Sequence, residues 1–191
     1  MGFFDVIRGK RELKKPVPTD RVFAITTAYV TMELEMGLTT SGKAGIVFQP
    51  LATADFETIV RDMEEVVRGT GSDTGTSIEV TDDEFGYRWM VLVDPDFEDL
   101  VVGLNAVSTA LEAGGYGDRI LAAVFSFRDS AGKPVYWIYN YKRGAFYPFV
   151  PASGQQQRDN EREMRLKAQI GNELPIEADL ERWFPLWGIP I

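Results

Sequence analysis

The 191-residue sequence contains no cysteine and no histidine. Their absence excludes disulfides, thiol nucleophiles, Ser–His and Cys–His catalytic pairs, and zinc sites built on Cys or His ligands. Chemistry would have to come from carboxylates, Lys, Tyr, Ser and Thr, so composition alone leaves a hard-cation site or a paired-carboxylate hydrolase open. No apolar run reaches roughly eighteen residues, which predicts no membrane-spanning helix.

The first residues also lack the apolar stretch and cleavage site of a secretory signal. Val6 stands where a myristoylation motif has Ser or Thr. We therefore expect a cytoplasmic protein. It would be peripheral to the inner membrane face if its N-terminus approaches lipid.

Charge is unevenly distributed along a chain whose net charge is −9. Residues 1–16 carry five bases and two acids, or +3, whereas residues 51–118 carry sixteen acids and three bases, or −13. An acidic body opposes contact with the phosphates of nucleic acids. The composition therefore predicts no nucleic-acid partner.

Hydrophobic periodicity predicts an alternation of helices and strands. The clearest helices cover 56–67, after Asp55, and 97–111, after Asp96. A glycine-rich loop is predicted over 71–75, and the pairs Glu161–Arg165 and Glu163–Lys167 have the spacing that stabilises a helix over 158–170. A short helix is expected near 178–183. A helix is predicted over 22–36, whose β-branched threonines would also suit a strand, and strands are predicted at 44–48, 77–81, 87–93, 120–127, 135–141 and 145–150.

This order predicts an α+β domain over 19–191, with a mostly antiparallel sheet and helices packed on one face. Such a two-layer sandwich is similar to chaperone-like domains. The order helix–strand–strand occurs twice, each time after Asp-Phe-Glu. A degenerate α-β-β repeat is one interpretation, and a chance match at two helix starts is the other.

Three local motifs resemble ligand-binding sites. Residues 37–43 match a phosphate-binding P-loop, but Ala44 replaces the Ser or Thr that holds Mg²⁺, and a strand follows, so we predict a glycine turn. The acids over 94–99 could bind calcium but sit where carboxylates cap a helix. The strand over 143–150 is faintly similar to an RNA-binding strand, and we expect it to fill the core or present aromatics.

Both ends of the chain are apolar. Residues 1–18 form an amphipathic arm in which Phe3, Phe4 and Ile7 lie among basic residues. This arm either approaches an anionic membrane or docks on its own domain. The tail 183–191 is expected to pack back on the sheet, the alternative being an anchor for a partner.

Several stretches are similar to one protein family, the PspA-associated protein PspAB. They are 1–5 (MGFFD), 42–48 (GKAGIVF), the aromatic block 136–149 (YWIYNYKRGAFYPF) and 180–187 (LERWFPLW). The similarity extends over nearly the whole chain. It implies association with PspA, a helical coiled-coil protein of the phage-shock envelope-stress system.

The resemblance implies a non-catalytic adaptor at or near the cytoplasmic membrane face. It assigns no catalytic residue, metal ligand or cofactor. Our alternatives are a small-ligand sensor with an aromatic pocket and a carboxylate-based enzyme of unknown type. The residues that we expect to form a partner surface are Tyr139, Tyr141, Lys142, Arg143 and Tyr147.

Overall fold

A computed structural model describes residues 19–154 and 156–191, apart from the side chains of 19–20 and 70–74. The N-terminal arm predicted over 1–18, with Phe3, Phe4 and Ile7, lies outside the described residues. Along the described chain, the helices are α1 (Ala24–Leu34), α2 (Ala54–Thr74), α3 (Phe97–Ala113) and α4 (Asn160–Ile170). The strands are β1 (Thr39–Phe48), β2 (Ser77–Asp82), β3 (Arg88–Val93), β4 (Ile120–Arg128), β5 (Pro134–Asn140) and β6 (Ala145–Phe149). Short 3-10 helices occupy Thr19–Phe23, Gly117–Arg119 and Leu180–Arg182.

The strands of the described residues form one antiparallel sheet in the order β2-β3-β1-β4-β5-β6. The central strand, β1, lies between two hairpins. The first hairpin joins it through its second strand, β3, and the second hairpin through its first strand, β4. The two helix–strand–strand units are therefore placed differently against β1, and the repeat stays a hypothesis.

One face of the sheet is covered by helices, which confirms the predicted α+β architecture. Met90 and Leu92 of β3 point to this face, where they join the buried residues of α1, α2 and α3. Asp96 begins α3 as predicted, because its carboxylate accepts a hydrogen bond of 2.8 Å from the Glu98 amide. α3 lies very close to β3, since a Cβ on Gly103 would be 2.3 Å from Leu92 Cδ2.

The opposite face of the sheet is also apolar. Alternate residues, such as Trp89 and Ile138, form a second buried cluster there. The tail covers part of this cluster through Trp183, which is 4% exposed, and Trp187, whose ring meets Phe149 edge-on at 5.1 Å between centroids. This contact confirms that the tail packs back on the sheet.

Two local predictions are wrong. The loop predicted over 71–75 is largely helical, since α2 continues to Thr74. A glycine costs only about 1 kcal/mol in a helix that is already nucleated.

Glu163 does not pair with Lys167. It is buried and accepts hydrogen bonds from Val150 N at 2.9 Å and Arg158 Nε. The burial of Glu163 determines which partners it has. The exposed pair of Glu161 and Arg165 forms as predicted, at 2.6 Å.

The segment expected to be a short helix near 178–183 is a single 3-10 turn at Leu180–Arg182. The predicted helix over 22–36 is confirmed. It consists of the 3-10 helix at Thr19–Phe23, which leads directly into α1. The strand predicted to begin at 44 begins at Thr39 and carries an irregularity between Thr40 and Lys43. In the part of the chain described, no helix combines the length and apolar character needed to cross a membrane.

The tail contact predicts a loss of stability in Trp187→Ala. The substitution removes half-buried aromatic area and the edge-on contact with Phe149, so we expect a loss of about 1–3 kcal/mol in the free energy of unfolding. Urea denaturation would measure it. Leu34→Ala, at a side chain that is 77% exposed, is the control and should change stability by less than about 0.5 kcal/mol. An equal loss in the two variants would contradict the tail contact.

Candidate functional site

A groove lies on the second face of the sheet, between the tail and the β2–β3 turn. Its cavity volume is about 480 Å³. Val47 and Trp89 belong to the sheet side of this groove, and the β2–β3 turn and the tail line it as well. The volume lies within the range of small-ligand pockets, roughly 300–1,000 Å³.

Asp83 organises the β2–β3 turn at one end of the groove. One carboxylate oxygen, Oδ1, accepts hydrogen bonds from the amides of Phe85 and Tyr87, each at 2.9 Å. The other, Oδ2, accepts one from Trp89 Nε1 at 2.9 Å. Gly86 supplies the positive φ of +81° that the turn requires. Asp83 therefore holds Phe85, which is 56% exposed, and Tyr87 in place beside the groove.

The tail forms the opposite side. Trp183 Nε1 donates to Glu177 O at 3.0 Å, and the Trp183 ring stacks on Tyr147 at 6.1 Å between centroids. Tyr147 Oη donates to Phe184 O at 3.0 Å. These contacts fix the backbone of the tail while the Phe184 side chain remains 58% exposed. Burial raises the pKa of Tyr147, so its hydroxyl stays protonated and acts as a donor.

The polar groups of the groove are few. Lys142 lines it and is exposed, and Asn140 lines it with a buried Oδ1 that accepts no hydrogen bond from any described residue. Asp83 is already engaged by three donors. Among residues 19–154 and 156–191, no group of three or more acids is placed to hold a metal ion. The groove is thus suited to aromatic or apolar groups that carry a hydrogen-bond donor.

The five residues expected to form a partner surface lie in three places. Lys142 and Tyr147 line the groove. Tyr139 belongs to the core on the helix side, and Tyr141 packs against that core. Burial raises the pKa of Tyr139 to about 12 and also raises that of Tyr141. Arg143 instead pairs with Glu177 at 2.8 Å. Strand alternation separates these side chains, and whether any of them contacts a partner stays a prediction.

The motifs resembling ligand sites have structural roles. Residues 39–48 form β1, so the P-loop-like segment is a strand, and Gly42 O accepts a hydrogen bond from Asp94 N at 3.0 Å. Asp94 itself accepts from Asp96 N at 2.7 Å and from the Thr76 hydroxyl. These contacts confirm that the acids cap a helix, whereas the glycine turn predicted over 37–43 is wrong, because residues 39–43 belong to β1. In the strand similar to an RNA-binding element, Phe146 and Phe149 are buried, which confirms a core role.

Sequence reasoning did not identify Phe85, Trp89 and Phe184 as parts of one site. One signal was present, because residues 89–93 are apolar at every position and therefore on both faces of β3. Such a strand needs cover on both sides. The sequence did not indicate how far the tail would extend over the second face.

The Arg143–Glu177 pair predicts a pH dependence of stability. The hydrogen bond from Arg143 holds the pKa of Glu177 below its ordinary value. A depressed folded-state pKa contributes stability above the ordinary value of 4.5, and this contribution is lost as the pH falls through the folded-state pKa. We therefore expect Arg143→Gln to lower the urea midpoint at pH 7, with a difference from the wild type that shrinks below about pH 4.5.

Tryptophan fluorescence would measure the urea midpoint at each pH. The protein concentration is kept low because the isoelectric point, about 4.6, lies within the pH range of the experiment. Arg165→Gln, which breaks the exposed pair with Glu161, is the matched control and should have little effect at any pH. A difference for Arg143→Gln that is constant from pH 7 to 3.5 would refute the role of Glu177.

Comparison with known proteins gives one match. The family model of PspAB, described as PspA associated protein B, matches residues 1–191. No curated protein and no solved structure matches the chain significantly.

Proposed function

Since the chain belongs to the PspAB family, PspA associated protein B, we propose that it is a non-catalytic adaptor of the PspA-type envelope-stress response. It binds a PspA-like coiled-coil protein. It does so in the cytoplasm, near the inner membrane face, where an envelope-stress partner would act. The family name supports the partner, and the groove on the second sheet face supports the mode of binding.

The observation that carries this proposal is the set of exposed aromatic side chains around a preformed apolar groove. Phe85, Tyr87 and Phe184 are exposed although their backbones are held by hydrogen bonds. Exposed aromatic residues on a fixed backbone lose little conformational freedom on binding and are typical of interaction hot spots. Lys142 adds a positive charge that an acidic residue of the partner would meet.

The groove fits the apolar face of a partner helix. Such a helix presents side chains at i, i+3, i+4 and i+7, and these would contact the exposed aromatic rim of Phe85, Tyr87 and Phe184. We therefore propose a partner surface of Lys142, Phe85 and Phe184, which the buried Tyr147 supports from beneath through its hydrogen bond to Phe184 O. Arg143 would act indirectly, because its pair with Glu177 holds the segment that precedes the tail.

A double variant tests the surface. Phe85→Ser with Phe184→Ser removes two exposed aromatic rings, and we expect the Kd for the PspA protein of the same organism to rise at least about tenfold, that is by at least about 1.4 kcal/mol. Isothermal titration calorimetry with both full-length proteins would measure it.

The matched control is Val30→Ser with Leu34→Ser, which removes two exposed apolar side chains from α1. The control variant should bind as the wild type does. Equal weakening in both double variants, or in neither, would remove the groove from the proposal. If the wild type itself does not bind PspA, the adaptor function is refuted as a whole.

A small-ligand sensor is the second candidate, favoured by the buried Asn140 Oδ1 beside a cavity of about 480 Å³. A flat aromatic molecule with an N–H donor would satisfy this acceptor. Thermal-shift screening with indole and aniline derivatives tests it. Stabilisation of the wild type that is lost in Asn140→Leu would support a sensor, and no stabilisation by any such compound would count against it.

A further inference from the structure

A second apolar groove lies on the other side of the molecule, between α2 and α3. Its cavity volume is about 350 Å³. Ile59 and Met63 line it on α2, and Ala106 and Ala110 on α3. The alanines make the α3 wall low, so a further helix could approach closely. The apolar surface continues along this face of α3 to Val102, which is 55% exposed.

The two helices that form this groove are acidic in sequence. Within α2 there are six acids and two bases, and within α3 three acids and no base, which together amount to −7. Asp62 itself lines the groove. An apolar trough between acidic helices is complementary to a basic amphipathic segment.

The chain contains one such segment, its own first residues. Residues 1–16 carry five bases against two acids, with Phe3, Phe4 and Ile7 spaced to form one apolar stripe on a helix. The described chain begins against α3, because Thr19–Phe23 packs on that helix, and α3 forms one wall of the groove. Eighteen residues span about 27 Å as a helix and up to about 60 Å when extended, whereas a helix is about 10 Å wide. The segment can therefore cross α3 and reach the groove.

We propose that residues 3–15 of the chain dock in the α2–α3 groove of the same molecule. Phe3, Phe4 and Ile7 lie against the apolar lining, and the bases between Arg8 and Lys15 face the acids of α2 and α3. This intramolecular contact rests on the groove and on the charges of the chain. It does not depend on the partner proposed above.

The absence of cysteine allows a direct test in the full-length protein. Val6→Cys with Ala106→Cys places one thiol in the N-terminal segment and one in the groove, and a disulfide forms only when the two Cα atoms come within about 7 Å. Val6→Cys with Leu34→Cys is the control, because Leu34 is exposed on α1 and outside the groove. We expect mild oxidation to produce the monomeric disulfide at least about tenfold faster in the first pair. Equal rates, or disulfide-linked dimers alone, would overturn the proposal.

A second measurement follows tryptic cleavage at Arg8, Lys10 and Arg11. Docking should protect these bonds, and Ala106→Glu should accelerate their cleavage at least about fivefold, because cleavage follows the population of the open form. Leu34→Glu is the matched control and should not change the rate. Glutamate is a good helix former, and circular dichroism would verify that both variants are folded. Protection from trypsin that Ala106→Glu leaves intact would overturn docking. Protection that appears only when phosphatidylglycerol vesicles are added would also overturn it, and would favour binding of the segment to a membrane.

Discussion

The central sheet is apolar on both faces, and the rest of the structure depends on covering it. β3 and β4 each alternate buried residues between the two sides, so that Met90 and Leu92 face the helices while Trp89 and Val91 face away. A sheet solvated on one side would carry polar residues there. In this chain the helices cover one face. The other is covered by the tail, Trp183 to Ile191, together with Ile176 and the guanidinium of Arg158, which lies over the Phe149 ring.

The tail leaves a groove on that face, although the sheet residues beneath it, such as Val47 and Trp89, are buried. The tail is held near β6 because Arg158 donates to Trp183 O and forms an ion pair of 2.7 Å with the buried Glu163. Burial raises the pKa of Glu163, which means that the protein makes this contact at some cost in solvation. The contact fixes where the tail begins. From there the tail lines the groove with residues 184–187 and comes close to the β2–β3 turn, where a Cβ on Gly188 would lie 3.7 Å from Glu84 Oε1, so the groove lies between the tail and the turn.

Prediction from sequence succeeded where the deciding forces are local. α3 was located to within a few residues because its apolar spacing and the Asp96 cap are both encoded in one short stretch. The pairing of Glu163 was predicted incorrectly because helix spacing contains no information about burial. Tyr139 and Tyr147 were assigned to one surface but face opposite sides, because Tyr147 pairs with Ile138, and alternation within a single strand contains no information about this register. The groove joins Phe85 to Phe184, about a hundred residues apart, and only the folded chain brings them together.

The two apolar grooves differ in character and position. The one on the sheet is aromatic and carries a lysine, whereas the one between α2 and α3 is aliphatic and lies among acids. They lie on opposite layers of the domain, so a segment bound in one does not sterically exclude a partner in the other. Among the described residues, the second groove lacks the exposed aromatic rim of the first, which also means that one ligand is poorly suited to both. A protein with this construction can keep a basic segment of its own on the helix layer while the sheet face stays open to a different protein, which is a property suited to an adaptor.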